Sequence, residues 1–301
     1  MEIAFNREMD FVYGEPKEVA PGIVRVVAEN PSPMTFKGTN TYILGTKTLV
    51  IIDPGPGDEK HEAAVVKAVA GRPVTDILLT HTHRDHCDSL PALKAATGAR
   101  TGGAAVGPLP RSKVQLDPRA GTYIDLDFVP DQPLADGDVV KADGMRLLTI
   151  STPGHAPDHL CFAVEGKGIL FSGDHIMGWN TTVIAPPEGH MGDYYASLER
   201  LLRRRDKLYL AGHGESIAQP QRLAKAYMLH RRWREEAILD CVRKGATTID
   251  AIRRSVYRGL DGPIAYAASL SALAHVEHLV ERGLVRCSEP PTLQSSFSPA
   301  S

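Results

Sequence analysis

His81-Thr82-His83-Arg84-Asp85-His86, directly after the apolar run Val74-Thr75-Asp76-Ile77-Leu78-Leu79-Thr80, decides how this chain is read. The run reads as a buried strand, so three imidazoles and a carboxylate leave its end on a loop where they can converge on one point. A lone histidine is ordinarily a surface residue or a satisfied core residue, whereas this density of ligand-type side chains marks a metal site. Imidazole nitrogen and carboxylate oxygen suit zinc, and they also admit iron or manganese.

The context follows downstream. Met145 to Ile150 reads as a strand that runs into Thr152-Pro153-Gly154-His155; Gly168 to Ser172 runs into Gly173-Asp174; Lys207 to Ala211 runs into Gly212-His213-Gly214. Each strand ends in a ligand-type residue, and the neighbouring glycines permit tight turns that aim a side chain back at a shared centre. Asp53 closes the strand Leu49-Val50-Ile51-Ile52 and precedes Pro54-Gly55. It is either a carboxylate that takes the second N–H of a metal-bound imidazole or a turn-capping residue. His159 is either a proton donor to a leaving group or a hydrogen-bonded wall residue. His61, His190, His230, His275 and His278 fall on predicted helices or a polar loop, where a solvated histidine is expected.

Taken in order, HxHxDH, a later His, an Asp and a last His resemble the metallo-β-lactamase-fold hydrolases, over most of residues 20–215. The resemblance implies an αββα sandwich and two metal ions, expected to be Zn2+. It assigns His81, His83 and His155 to one metal, Asp85, His86 and His213 to the other, and Asp174 to a bridge between them. Two cations sharing a water would generate hydroxide near neutral pH and polarise the group under attack. Asp85 either orients and accepts the nucleophile's proton or is a ligand alone.

A narrower resemblance is carried by Asn30-Pro31, Gly38-Thr39-Asn40-Thr41-Tyr42, Thr152-Pro153-Gly154-His155 with Asp158-His159, Phe171-Ser172-Gly173-Asp174 with Thr181-Thr182-Val183, and Gly212-His213-Gly214. These are similar to the β-lactamase-like protein 2 family, which adds a small C-terminal winged-helix-like domain and whose studied animal members are similar to single-strand endoribonucleases. Asn40 thereby becomes a candidate to support a ligand or touch substrate. One departure follows His86, where Cys87-Asp88-Ser89 replaces the usual Gly-Gly pair. Asp174 resembles the thioesterase and nuclease branches rather than the antibiotic-cleaving one.

Composition agrees with this picture. The chain of 301 residues, 43% hydrophobic and 23% charged, has room for one large and one small domain. A net charge of -2 gives no wholesale attraction to polyanions, so a nucleic-acid contact would need a local patch. Neither a membrane-length apolar run nor a secretory signal pattern is visible. Four scattered cysteines without a CxxC point to a reduced, cytoplasmic setting.

Residues 23–28, 41–44 and 48–52 read as strands, and 58–70 and 90–97 as helices with Gly71 and Gly98 as caps. The Gly- and Pro-interrupted residues 99–135 read as loop, either at the pocket mouth or as a connector. Helical patterns at 220–242, 251–257 and 264–281, then a short strand, place a winged-helix-like domain at 218–288 after a catalytic domain at 1–217. The Ser- and Pro-rich residues 289–301 read as a disordered tail. Arg231, Arg232 and Arg234 form either a solvated helix face or a phosphate-tracking patch.

Three functions are consistent with these residues. The leading expectation is a binuclear zinc hydrolase of single-stranded RNA. The alternative is a thioesterase or lactonase acting on a small acyl substrate. The third, a metal-stabilised scaffold, asks for less than the ligand set supplies, because structural zinc sites are closed and mononuclear.

Overall fold

The computed structural model describes residues 3–105 and 123–300. Its first sheet has seven strands in sequence order: β1 (Lys17–Ala20), β2 (Ile23–Val27), β3 (Asn40–Leu44), β4 (Leu49–Ile52), β5 (Val74–Leu78), β6 (Arg100–Ala104) and β7 (Gln132–Leu134). Pairing is antiparallel from β1 to β4 and parallel from β4 to β7. The second sheet runs β12-β11-β10-β9-β8, with β8 (Val139–Ala142), β9 (Met145–Ser151), β10 (Leu160–Val164), β11 (Ile169–Gly173) and β12 (Leu208–Ala211).

Alternation along the strands makes the layers. In β4, Leu49 and Ile51 face a core shared with α1 (Glu59–Val69) and α3 (Leu90–Thr97), while Val50 and Ile52 face the second sheet. In β10, Phe162 and Val164 meet the first sheet, while Cys161 and Ala163 pack under α4 (Met191–Leu202) and the start of α5 (Pro220–Arg243). Both sheets are covered on both faces, which is why their strands are continuous apolar runs. The result is the expected αββα sandwich.

Residues 99–135 are more regular than their glycines suggested, since their two ends are β6 and β7. A Cβ on Gly102 would lie 2.6 Å from Leu78 Cδ2, and one on Gly103 would lie 2.6 Å from Phe128 Cε1. These glycines allow close packing within a strand; they do not break it. The middle of the segment falls outside the described residues, but Tyr123 to Asp125 pairs with the metal-ligand loop through Arg84 N to Tyr123 O (2.9 Å) and Asp125 N to Thr82 O (2.8 Å).

The C-terminal unit contains the end of α5, α6 (Ile249–Val256), α7 (Gly262–Glu281) and a ribbon of β13 (Val285–Arg286) with β14 (Ser298–Pro299). Helix α5 belongs to two cores. Ala224, Tyr227 and Met228 pack under the second sheet, whereas Ile238, Leu239 and Val242 pack with α6 and α7. A boundary at residue 218 therefore divides the sequence but not the packing. The last residues, expected as a disordered tail, fold back: Phe297 is 2% exposed within the C-terminal core and its N–H bonds Thr247 O at 2.8 Å. One buried aromatic ring is enough to anchor a Ser- and Pro-rich segment. Among the described residues, no helix is long and apolar enough to cross a membrane.

Candidate metal centre

The C-terminal edges of β5, β9, β11 and β12 deliver the ligand-type side chains to one place. His81 follows β5; His83, Asp85 and His86 sit at and within the single turn α2 (Arg84–Cys87); His155 follows β9, Asp174 follows β11 and His213 follows β12. Their donor atoms fall into groups within 4.8 Å of one another: His81, His83 and His155; Asp85, His86 and His213; and His81, His86 and Asp174. Asp174 lies between the first two groups, with Oδ2 3.8 Å from His155 Nε2 and 3.3 Å from His213 Nε2.

Backbone shape at two glycines is required for this approach. Gly173 has φ +47°, and a Cβ there would lie 2.7 Å from His159 Nε2 and 2.8 Å from Thr80. A Cβ on Gly212 would lie 2.5 Å from Asp174 Oδ1 and 2.6 Å from His86 Cε1. Any side chain at Gly212 would enter the ligand cluster.

Each of the five imidazoles has its outer nitrogen against an acceptor. His81 Nδ1 meets Thr80 Oγ1 (3.0 Å), His83 Nε2 meets Glu188 Oε2 (3.1 Å), His86 Nδ1 meets Asp53 Oδ2 (2.9 Å), His155 Nδ1 meets Val183 O (2.7 Å) and His213 Nδ1 meets Gly38 O (3.2 Å). These partners assign the proton to the outer nitrogen and leave the inner lone pair facing the centre. The inner nitrogens crowd one another: His81 Nε2 and His83 Nδ1 are 2.9 Å apart, His155 Nε2 and His83 Nδ1 3.2 Å, and His86 Nε2 and His213 Nε2 3.3 Å. Lone pairs at that separation repel unless a cation lies among them. Asp174 Oδ1 is buried with no hydrogen-bond partner, so the donor set fits bound metal.

The electrostatics point the same way. Burial disfavours charge on His86, yet the carboxylates of Asp85, Asp174 and Asp53 outweigh it and raise its pKa to about 9. Burial is likewise outweighed at His213, held well above the usual imidazole value by Asp174 and Asp85, and at His83, raised by Glu188. Asp174 and Asp85 are held low against burial, the first mainly by His213 and His86, the second by His86 and His213. Burial, then the neighbouring imidazoles, pushes His81 far down, and burial with His83 takes His155 to about 4. The carboxylates draw positive charge to the centre, and no lysine or arginine is among its ligand-type residues.

The remaining candidates are placed as follows. Asp53, in the left-handed region at φ 52°, serves His86 and also accepts from Thr80 N and Oγ1 at 2.8 Å each. Asn40 Nδ2 donates to Ala211 O and Gly214 O at 2.9 Å, which ties β3 under the His213 loop and leaves Asn40 fully buried. Thr39 Oγ1 donates to Asp85 Oδ2 at 3.0 Å. His159 Nε2 accepts the Asp174 N–H at 3.2 Å while Nδ1 meets Thr152 Oγ1 at 2.9 Å, so His159 is a buried wall residue and its free electron pair is spoken for. Cys87 is buried with its sulfur 3.5 Å from Thr82 O. Of the five histidines expected in solvent, His61 and His275 are buried. Glu188, Val183 and Gly38 were not anticipated; two act through backbone carbonyls, which leave no side-chain signature.

Arg231, Arg232 and Arg234, read as either a solvated helix face or a phosphate-tracking patch, do not all point the same way. Arg231 is 4% exposed and donates to Thr182 O beside the centre; Arg232 reaches outward to Glu199 at 3.1 Å; Arg234 donates to Val256 O at 2.8 Å with its guanidinium 4.3 Å from the Tyr257 ring. Successive helix positions are rotated by about 100°, which turns Arg232 away, while Arg231 and Arg234, three positions apart, line the same side of α5. Arg200 and Arg204 pair with Asp136 and Asp206.

Comparison with known proteins places these observations. The metallo-beta-lactamase superfamily model matches residues 34–213. Atrochrysone carboxyl ACP thioesterase nsrC of Aspergillus novofumigatus is 30% identical over 76% of this chain, which spans 66% of that relative's length. Thioesterase pkgB of Emericella nidulans is 32% identical over 72% of this chain and 57% of its own length. Among solved structures, a beta-lactamase domain protein from Burkholderia ambifaria superposes with a TM-score of 0.81 at 20% identity, covering 97% of this chain and 96% of its own. A metallo-beta-lactamase family protein from Thermus thermophilus gives 0.76 at 23% identity, covering 94% and 100%. These two share the fold across the C-terminal unit as well as the sandwich.

Proposed function

The chain belongs to the metallo-β-lactamase superfamily of hydrolases, and we propose that it is a binuclear metal-dependent thioesterase that cleaves an acyl thioester. The carrying observation is the seven-residue donor set with the Asp174 carboxylate between two ligand groups. Relatives named thioesterases favour a thioester over RNA.

His81, His83 and His155 would hold one ion and Asp85, His86 and His213 the other, with Asp174 shared. Bound Zn2+, iron or manganese supplies Lewis acidity, lowering the pKa of water towards about 7 and polarising a carbonyl. The chain's own groups do the rest. Asp53, Glu188, Val183 O and Gly38 O fix the imidazoles so that no reorganisation is needed as charge develops. Asp85, the most exposed of the ligand carboxylates and oriented by Thr39, is placed to take a proton from the attacking water. His159 has no nitrogen free to protonate a leaving group. A thiolate, whose parent thiol has a pKa of about 8.5, departs without that help, whereas an alkoxide does not.

The three C-terminal helices and ribbon fit a winged-helix-like module, as the resemblance to the β-lactamase-like protein 2 family implies; in this reading it walls the substrate site. A cytoplasmic setting belongs to the same proposal. The test is parallel incubation of the zinc-loaded protein with an aromatic acyl thioester, a lactone and a short single-stranded RNA. Thiol release that disappears on chelation, with intact RNA, is expected; RNA cleavage without thiol release would overturn the assignment.

A further inference from the structure

A groove of about 1050 Å³ opens between the N-terminal segment, α5, α7 and residues 180–183. No aspartate or glutamate is among its lining residues, while Arg7, Arg231 and Arg234 are, beside His230, which burial and then Arg231 push down to about 4 and so keep neutral. In a chain of net charge -2 this is a marked local excess of positive charge. Its basic groups are not consumed by acids: Arg231 and Arg234 spend their assigned bonds on the carbonyls of Thr182 and Val256. Arg231 Nε, Arg234 Nε and His230 Nδ1 are buried with no hydrogen-bond partner among the described residues. Burial, and then Arg231, hold the Arg234 guanidinium below its usual pKa. A buried donor left unpaired is costly, and two guanidiniums repelling across a groove are relieved by an anion.

The other walls are apolar. Trp233 and Ile264 are half or more exposed, and Tyr257 and Trp233 flank the Arg234 guanidinium. The groove also touches the metal centre: its wall residue Val183 holds His155, and Thr182 Oγ1 donates to Asp174 O at 2.8 Å.

We propose that this groove binds an organic anion, a carboxylate or phosphate carried on an apolar or aromatic body, which Arg231 and Arg234 recognise by charge-assisted hydrogen bonds. That this ligand is the far end of the thioester, either a carboxylate on the acyl group or a phosphate on the thiol carrier, rests on the thioesterase reading; the anion site itself does not. Calorimetric titration of the metal-loaded protein with 2-naphthoate against 2-naphthamide, and with 4′-phosphopantetheine against pantetheine, tests both sources without turnover.

The anion of at least one pair should bind roughly tenfold or more tightly than its neutral partner, and which pair shows this identifies the source. Arg234→Gln should weaken that binding about tenfold, and Arg7→Gln, at an exposed position that cannot unfold the protein, about threefold. Asp174→Asn should leave it unchanged. Equal binding of anion and neutral partner in both pairs, or loss in Asp174→Asn with retention in both arginine variants, would overturn the proposal. Failure of the thioesterase reading appears separately, as absence of thiol release with this binding intact.

Discussion

Residues 180–183 adjoin two regions with opposite charge logic. On the metal side, five imidazoles and two carboxylates converge with no lysine or arginine among them. On the groove side, three arginines and a histidine gather with no acid among them. Elsewhere the protein balances its charges locally, as in Arg25 with Glu215, Arg204 with Asp206 and Arg282 with Glu235. An imbalance that folding leaves uncorrected costs stability, so it marks where something else supplies the missing charge. The difference between the two regions is the sign of that missing charge: a cation for the first, an anion for the second.

The largest expected effect breaks the metal side. Asp174→Asn keeps the shape of the side chain and removes the charge shared by both ligand groups. Metal content should fall from about two ions per chain to one or fewer, and thiol release should fall at least about 100-fold, beyond what loss of a supporting partner alone costs. Elemental analysis and thiol release on the same preparation measure both. Two retained ions with full activity would mean that Asp174 does not join the groups. Asp53→Asn and Glu188→Gln, which keep a hydrogen-bond acceptor but lose the charge, should show smaller losses of metal affinity of about 10-fold.

The next effect separates neighbouring arginines. Arg231→Met leaves Thr182 O and its strip without a buried donor and should cost about 1–3 kcal/mol in denaturant unfolding. Arg232→Ala, which removes an exposed pair with Glu199, should stay within about 0.5 kcal/mol. Equal costs would mean that the two arginines share one environment, and the contrast between groove and surface would fall.

These two regions also differ in how far sequence alone discloses them. A metal needs particular donor atoms at close spacing, so His81 to His86, and His155, Asp174 and His213 at strand ends, stand out in the order of residues itself. Asp53 stands out for the same reason, being a carboxylate at the edge where the others converge. The groove has no such grammar. Its parts come from the N-terminus, a loop, α5 and α7, and the run that contains Arg231 and Arg234 reads as a solvated face or a phosphate patch alike because the rotation of the helix is not visible in a charge count. Glu188 carries no motif, and the carbonyls of Val183 and Gly38 carry no residue type at all. Gly102 and Gly103 misled in the other direction, since glycine as a breaker and glycine as a close-packing residue look alike until Leu78 and Phe128 are in place. Phe297 was outweighed by the composition around it.

The smallest effect calibrates the comparison with a buried charge that neither region uses. Glu277 on α7 is 9% exposed, and burial pushes its pKa up to about 8, with His190 opposing and Glu281 adding to the rise. The sign follows from the ordinary value near 4.5. Below that pH both folded and unfolded chains hold the proton and nothing is lost. Between about 4.5 and 8 the unfolded chain releases the proton while the folded chain keeps it, so stability falls as pH rises, and above about 8 the loss is complete. Glu277→Gln removes the ionisation and should therefore stabilise the protein by about 1 kcal/mol or more at pH 8, but by less than about 0.5 kcal/mol at pH 4. Measurement at pH 8 stays below the range in which His190, raised to about 9 chiefly by Asp193 and also by Glu281, gives up its own proton. If neutralising Glu277 stabilises in this way while Asp174→Asn lowers metal content and Arg234→Gln weakens anion binding, uncompensated charge at the two regions is there for ligands. A variant difference that is the same at both pH values would show that Glu277 ionises freely, and that the burial of a charge in this fold is a weaker guide to function than the two regions imply.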